Sequence, residues 1–299
     1  MVNKPTLVKL EGPLLIAANH PNSFLDAVIL ATHFKRPITS LVRGDVYKGR
    51  IIIRILRSLR MLPVYRISEG SENLGQNYDT FQKCKEVFEK NGIVLIFSEA
   101  RCENEWHLRP LRKGTARLAF TAWEAGIPLK ILPAGLNYHA FKRFGKIVHL
   151  NFGNLISGDD VDLGEPFGKA SNNFNAILKK ELEGVVYEIE DKDTKRKKEI
   201  FQGEPSLFMR TILFLPAVSG LILHAPLYFP ARLITEKVAG RSGHFDSIMV
   251  ALLFITYPVY IIIAGLIVYL LQLPLLLLVF LPITALCLLH FRMPFSRAN

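Results

Sequence analysis

The sequence predicts an α/β fold with a mixed central sheet flanked by helices, followed by a C-terminal α-helical membrane region. Three observations carry this. Short apolar runs rich in β-branched residues alternate with helical patterns through the first half of the chain, the signature of layered strands and helices. Charge is unevenly spread: from Leu207 onward there are six Lys or Arg and two Asp or Glu in 93 residues, against 31 and 24 in residues 1–206. Within that tail, Ser247–Leu271 and Leu273–Leu289 are uncharged over 25 and 17 residues, lengths suited to a spanning helical hairpin.

In chain order, strands are expected at 14–18, 38–42, 61–65, 93–97, 130–136 and 147–152, and helices at about 23–34, 46–58, 77–90 and 114–125. Gly92 and Gly126 read as helix stops. Residues 169–206 are polar and helical in pattern and end in a basic run from Lys192 to Lys198, the composition of a linker beside a membrane. The expected division is therefore a catalytic domain over 1–168, a linker over 169–206 and a membrane region over 207–299. A third apolar stretch, Thr211–Phe229, carries Pro216, Gly220, His224 and Pro226. Charge placement favours a re-entrant or interfacial element there, because the loop with Arg232, Lys237 and Arg241 and the tail with Arg292 and Arg297 then share one side.

The net charge of +11 implies an anionic partner. The apolar tail selects an anionic membrane and phosphorylated substrates over nucleic acid. Cys84, Cys102 and Cys287 show no paired spacing, so a disulfide framework and a cysteine zinc site are not indicated. The domain is expected at the cytoplasmic membrane, facing the cytoplasm. Met1 leads within a few residues into the first strand, which leaves no room for a signal peptide.

The chemistry concentrates in Asn19-His20-Pro21-Asn22-Ser23-Phe24-Leu25-Asp26. A buried strand delivers His20 to a sheet edge, Asn22 is a candidate N-cap, and Asp26 would sit one turn into the helix with its carboxylate pointing back at the histidine. Such a pair leaves one imidazole nitrogen free as a base, with the hydroxyl coming from a substrate. Further along, Val42-Arg43-Gly44-Asp45 ends the second strand. It is followed by a helix carrying Lys48, Arg50, Arg54, Arg57 and Arg60 amid Ile51, Ile52, Ile53, Ile55 and Leu56. This basic amphipathic pattern suits an anionic membrane surface or a phosphorylated ligand, and equally an ordinary helix with one solvated face. Arg66 ends the third strand. The fourth, Ile93–Phe97, runs into Ser98-Glu99-Ala100-Arg101, and Arg109, Arg112 and Lys113 precede a helix start at Gly114-Thr115, an arrangement that binds phosphate.

These residues resemble the glycerophospholipid acyltransferases of the lysophosphatidate acyltransferase (PlsC-like) superfamily over about residues 12–155. Four blocks carry the resemblance in the family's order: Asn19-His20 with Asp26, Pro63-Val64-Tyr65-Arg66, Phe97-Ser98-Glu99-Ala100-Arg101, and Leu132-Pro133-Ala134. It implies His20 as base and Asp26 as its orienting carboxylate, and Asn19, Arg66, Glu99, Arg101, Arg109, Lys113 and Gly114 around the acceptor. Pro133 falls near the acyl site. Two departures stand out. Five residues rather than four separate His20 from Asp26, as in fungal-type glycerol-3-phosphate acyltransferases. The family's Gly-Thr-Arg is replaced by Ala100-Arg101-Cys102, and alanine does not take positive φ cheaply.

The resemblance implies transfer of a fatty acyl group from acyl-CoA or acyl carrier protein, as co-substrate, to a hydroxyl of lysophosphatidate or a related glycerol phosphate, with no cofactor, metal or covalent enzyme intermediate. A glycerol-3-phosphate or lysoaminolipid acyltransferase and a phospholipid transacylase are alternatives within the class. A membrane lipid-binding protein without catalysis is the alternative outside it.

Overall fold

The computed structural model describes residues 1–65, 74–201, 207–240 and 242–292. Six strands form one sheet: β1 (Leu14–Ala18), β2 (Ile38–Arg43), β3 (Met61–Val64), β4 (Ile93–Phe97), β5 (Lys130–Tyr138) and β6 (Val148–Phe152), in the order β3-β2-β4-β1-β5-β6. All neighbours are parallel except β5 and β6. The sheet is thus mixed, and every strand lies within a few residues of where the apolar runs placed it.

The strands are apolar on both faces because helices cover both. Leu15 and Ala17 of β1, with Val94, Ile96 and Ile131, pack under α3 (Leu74–Glu89), α4 (Gly114–Glu124) and α5 (Phe167–Glu183). Leu14, Ile16 and Ala18, with Ile93, Leu95 and Leu132, pack under α1 (Phe24–His33). One further helix of this domain, α2 (Arg50–Ser58), buries no residue fully. The linker reading of residues 169–206 needs correction. Phe174, Leu178 and Leu182 of α5 are fully buried in the first core, their i, i+4, i+8 spacing giving the polar-looking helix one apolar stripe. Residues after α5 then dock on the sheet, where Asn137 donates to the Val185 carbonyl at 2.9 Å and accepts from the Tyr187 amide at 2.7 Å. The basic run forms α6 (Thr194–Ile200), started by Asp193 capping the Arg196 amide.

The tail holds α7 (Leu207–Ala239), α8 (Phe245–Leu270) and α9 (Phe280–Arg292). Together with the turn of 3-10 helix leading into α9, they give three helices long and apolar enough to cross a membrane. The expected re-entrant break is not there: α7 is one continuous 33-residue helix through Pro216, Pro226 and Pro230. Close packing offsets the prolines, for Gly220 lies so near the Thr284 carbonyl of α9 that a Cβ would stand 2.3 Å from it.

Candidate active site

The C-terminal ends of β1 to β4 open into a cleft of about 1200 Å³, the edge of an open parallel sheet where ligands bind. His20 leaves β1 and lines the cleft, its ring stacked on Phe97 of β4 at 3.7 Å and 11°. Asp26, fully buried in the first turn of α1, points back as expected, and its Oδ2 meets His20 Nδ1 at 2.9 Å. An ionised carboxylate only accepts, so Nδ1 carries the proton and Nε2 is the basic nitrogen. Two further donors hold Asp26: the Asn22 backbone N–H to Oδ2 at 2.7 Å and the Tyr138 hydroxyl to Oδ1 at 2.7 Å. Burial, and then the Asp26 charge, push the Tyr138 hydroxyl's pKa well above its ordinary value, which keeps it a donor.

The turn between His20 and Asp26 is built differently from the sequence expectation. Asn22 does not cap α1. Ser23 is the N-cap residue, at φ 56°, and its side chain does not cap either. The Asn22 side chain instead donates to Asp246 Oδ2 of α8 at 2.6 Å, and Ser23 Oγ lies 2.6 Å from His244 Nδ1. The Cys102 thiol accepts the Ser23 amide at 2.9 Å and faces the Gly243 carbonyl; burial pushes its pKa up to about 12, so it is packed rather than reactive. The turn joining α7 to α8 therefore forms one wall of the site, with Ser242, Gly243 and His244 in the cleft lining.

Glu99, at the end of β4, is buried and clamps two loops: Oε2 accepts the His20 amide at 2.7 Å and Oε1 the Arg109 amide at 2.8 Å. Burial raises its pKa to about 7 against the opposing pull of those two amides. Ala100 follows at φ 56°, so the left-handed turn is kept without a glycine, at a cost of roughly 1–2 kcal/mol.

The remaining expected residues separate. Asn19 is buried, and its side-chain amide joins β1 to β5 by donating to the Leu136 carbonyl at 3.1 Å and accepting its amide at 2.7 Å. Arg101, Lys113 and Gly114 line the cleft, with Arg101 also paired to Glu103 at 2.6 Å. Arg109 turns to Glu105 at 2.9 Å and is absent from the cleft lining. Pro133 is buried in β5 against Gly153, away from the cleft. Arg66 lies outside the described residues. In their place the structure brings Arg43, Arg112 and Arg117 to the cleft beside Lys113. Arg43 also pairs with Asp45, while Arg112 follows a loop fixed by its own amide bond to the Ser98 carbonyl at 2.8 Å. The sequence pointed to Arg43 and Arg112 by position and gave no signal for Arg117, Tyr138 or His244. This is a histidine held by a carboxylate in a cleft whose lining also carries cations and the first turn of α4.

No curated protein matches this sequence. Among solved structures, the 1-acyl-sn-glycerophosphate (LPA) acyltransferase PlsC from Thermotoga maritima is similar at a TM-score of 0.37 and 11% identity, over 60% of this chain and 70% of that one. The family model described as Acyltransferase matches residues 1–137, from the first residue through the Asn19-His20 turn and Glu99 to Asn137 in β5. That stretch, which is similar to the family model, supplies His20, Asp26 and every strand but β6.

Proposed function

We propose that the protein moves a fatty acyl group from an acyl thioester, acyl-CoA or acyl carrier protein, to a hydroxyl of lysophosphatidate or a related glycerol phosphate. The single observation that carries this is the His20–Asp26 pair, which presents a base to a cleft lined by cations. The acceptor hydroxyl gives its proton to His20 Nε2 as its oxygen attacks the thioester carbonyl carbon. Asp26 stabilises the imidazolium, with its second oxygen held by Tyr138. Collapse of the tetrahedral adduct breaks the carbon–sulfur bond, and the imidazolium proton leaves with the thiol.

Arg43, Arg101, Arg112, Lys113 and Arg117 would hold the acceptor phosphate, which turns binding energy into orientation of the hydroxyl. Glu99 acts on the protein rather than the substrate: with both oxygens taken by backbone amides it fixes the His20 loop relative to the Arg109 loop. The apolar tail would keep the cleft at the membrane where lysophospholipids reside.

The test is an acceptor panel with the purified full chain, following free thiol released from acyl-CoA. Release that depends on lysophosphatidate, and less on glycerol-3-phosphate or a lysoaminolipid, is expected. Phospholipid binding with no acceptor-dependent thiol release would put the chain among catalytically silent lipid binders.

A further inference from the structure

Helix α2 is at odds with the rest of the domain. It is nine residues long, shorter than the roughly 12 at which isolated helices become even marginal in water, so its stability has to come from packing an amphipathic face. The sequence supplies such a face. Arg50, Arg54 and Arg57 fall at i, i+4 and i+7 on one side, and Ile52, Ile55 and Leu59 at i, i+3 and i+7 on the other. Only Ile53 and Leu56 turn partly inward. Ile51, Ile52, Ile55 and Leu59 are exposed at 76, 51, 52 and 48%, a clustered apolar surface of the kind that marks an interaction site.

Charge identifies the partner. From Val46 to Met61 there are five cations, Lys48, Arg50, Arg54, Arg57 and Arg60, and no acid. At the end of the helix, Arg57 and Arg60 share a shallow pocket of about 270 Å³ with Lys83 and Lys90, where Glu86 is the one acidic residue. Aliphatic residues on one face and arginines on the other suit a helix lying in the head-group layer of an anionic bilayer, with acyl chains below and phosphates above. Position agrees with this. The same cleft that is walled by Val46 and Leu56 beside and within α2 is walled on another side by Ser242, Gly243 and His244 of the α7–α8 turn. One rim of the cleft is thus α2, and another is the junction of two apolar helices.

We propose that α2 is an interfacial helix that lies flat in the anionic leaflet entered by the apolar tail, so that the cleft opens onto the bilayer and its lipid substrate enters sideways. This goes beyond acyl transfer and is read without turnover, so failure of either reading leaves the other standing. The full chain is placed in phosphatidylglycerol nanodiscs, and the emission added by Ile52→Trp or Ile55→Trp, relative to the parent, is followed with lipids brominated high on the acyl chain. Insertion by a few ångströms past the head groups should give roughly a twofold loss of the added emission. Lys179→Trp, on the exposed side of α5, should show none. Combining Ile52→Trp with Arg50→Glu, Arg54→Glu and Arg57→Glu should reduce the quenching. Unquenched emission at both positions would overturn the proposal, whether the reporters report water or a blue-shifted contact with another protein or a second copy.

Discussion

The side-chain amide of Asn22 donates to the Asp246 carboxylate at 2.6 Å, across 224 residues of chain, and both groups are buried. Asn22 also gives its backbone N–H to Asp26, which holds His20. A carboxylate in the first turn of an apolar tail helix is thereby two hydrogen bonds from the orienting carboxylate of the site. Lys146 pairs with the same Asp246 oxygen and keeps its charge compensated. Asp246→Ala should therefore lower kcat by about tenfold and leave the acceptor KM nearly unchanged, since it loosens geometry and touches no substrate. Asn22→Ala should do the same, and the double variant should be no worse than either single one. Additive losses would show that the two residues act separately.

His20→Ala should abolish acyl transfer, and Asp26→Asn should reduce it greatly, general-base assistance being worth roughly 10² to 10⁴ in rate. Tyr138→Phe is the informative companion. It removes one of the hydrogen bonds to the buried Asp26 carboxylate, so it should cost about 1.5–3 kcal/mol of stability and a smaller share of kcat. Single-turnover thiol release and thermal melts check both. Near-normal turnover by a folded His20→Ala protein would remove the mechanism.

Lys113→Ala and Arg117→Ala should raise the KM of a phosphate-bearing acceptor by about tenfold each while kcat holds, because a charge-assisted contact to phosphate is lost and the base is untouched. Arg109→Ala, whose side chain pairs with Glu105 off the cleft, should leave acceptor KM alone. A raised KM for the thioester donor with an unchanged acceptor KM would assign the cations to the other substrate.

Glu99 links pH to stability. Its folded pKa of about 7 lies above the ordinary carboxylate value because of burial. The folded state therefore binds this proton more tightly than the unfolded chain. Its contribution is fully present below the unfolded pKa near 4.5 and is lost as pH rises through about 7, a change on the order of 3 kcal/mol. Glu99→Gln has no such titration, although it leaves one of the two backbone donors unpaired. The stability of wild type relative to Glu99→Gln should thus fall between pH 4.5 and 7 and stay level above. A flat difference across that range would mean that the two amide bonds outweigh burial.

The strands and the His20–Asp26 pair were legible because both are local: alternation of apolar runs and a seven-residue turn contain them. What closes the site was not. Tyr138 reaches Asp26 only because β5 lies beside β1, with Ala134 level with Ala18; strand order is a tertiary fact that no window of sequence carries. The clamp by Glu99 is of the same kind, joining residues 79 and 10 apart. Arg109 and Lys113 look alike in a run of cations, yet one turns to Glu105 and the other into the cleft. Of the two arrangements expected for Thr211–Phe229, the re-entrant one is not what forms, for a physical reason: prolines that break helices in water are carried by α7 where α9 packs closely against it.

Topology follows from two contacts at opposite ends of the tail. The α7–α8 turn is seated on the cleft that holds His20, since His244 meets Ser23 and Lys142 bonds the Gly240 carbonyl. The end of α9 also returns to the α/β domain, because a Cβ on Gly145 would lie 3.2 Å from the Arg292 Cβ. Ser242 and Arg292 must then share a side, which requires an even number of crossings between them and accords with the basic residues in the sequence near both places. With the native cysteines replaced, Ser242→Cys and Ser296→Cys should resist an impermeant thiol reagent in intact cells and react once the membrane is opened. Labelling of Ser296→Cys alone from outside would require an odd number of crossings after α7 and would detach the end of α9 from the α/β domain.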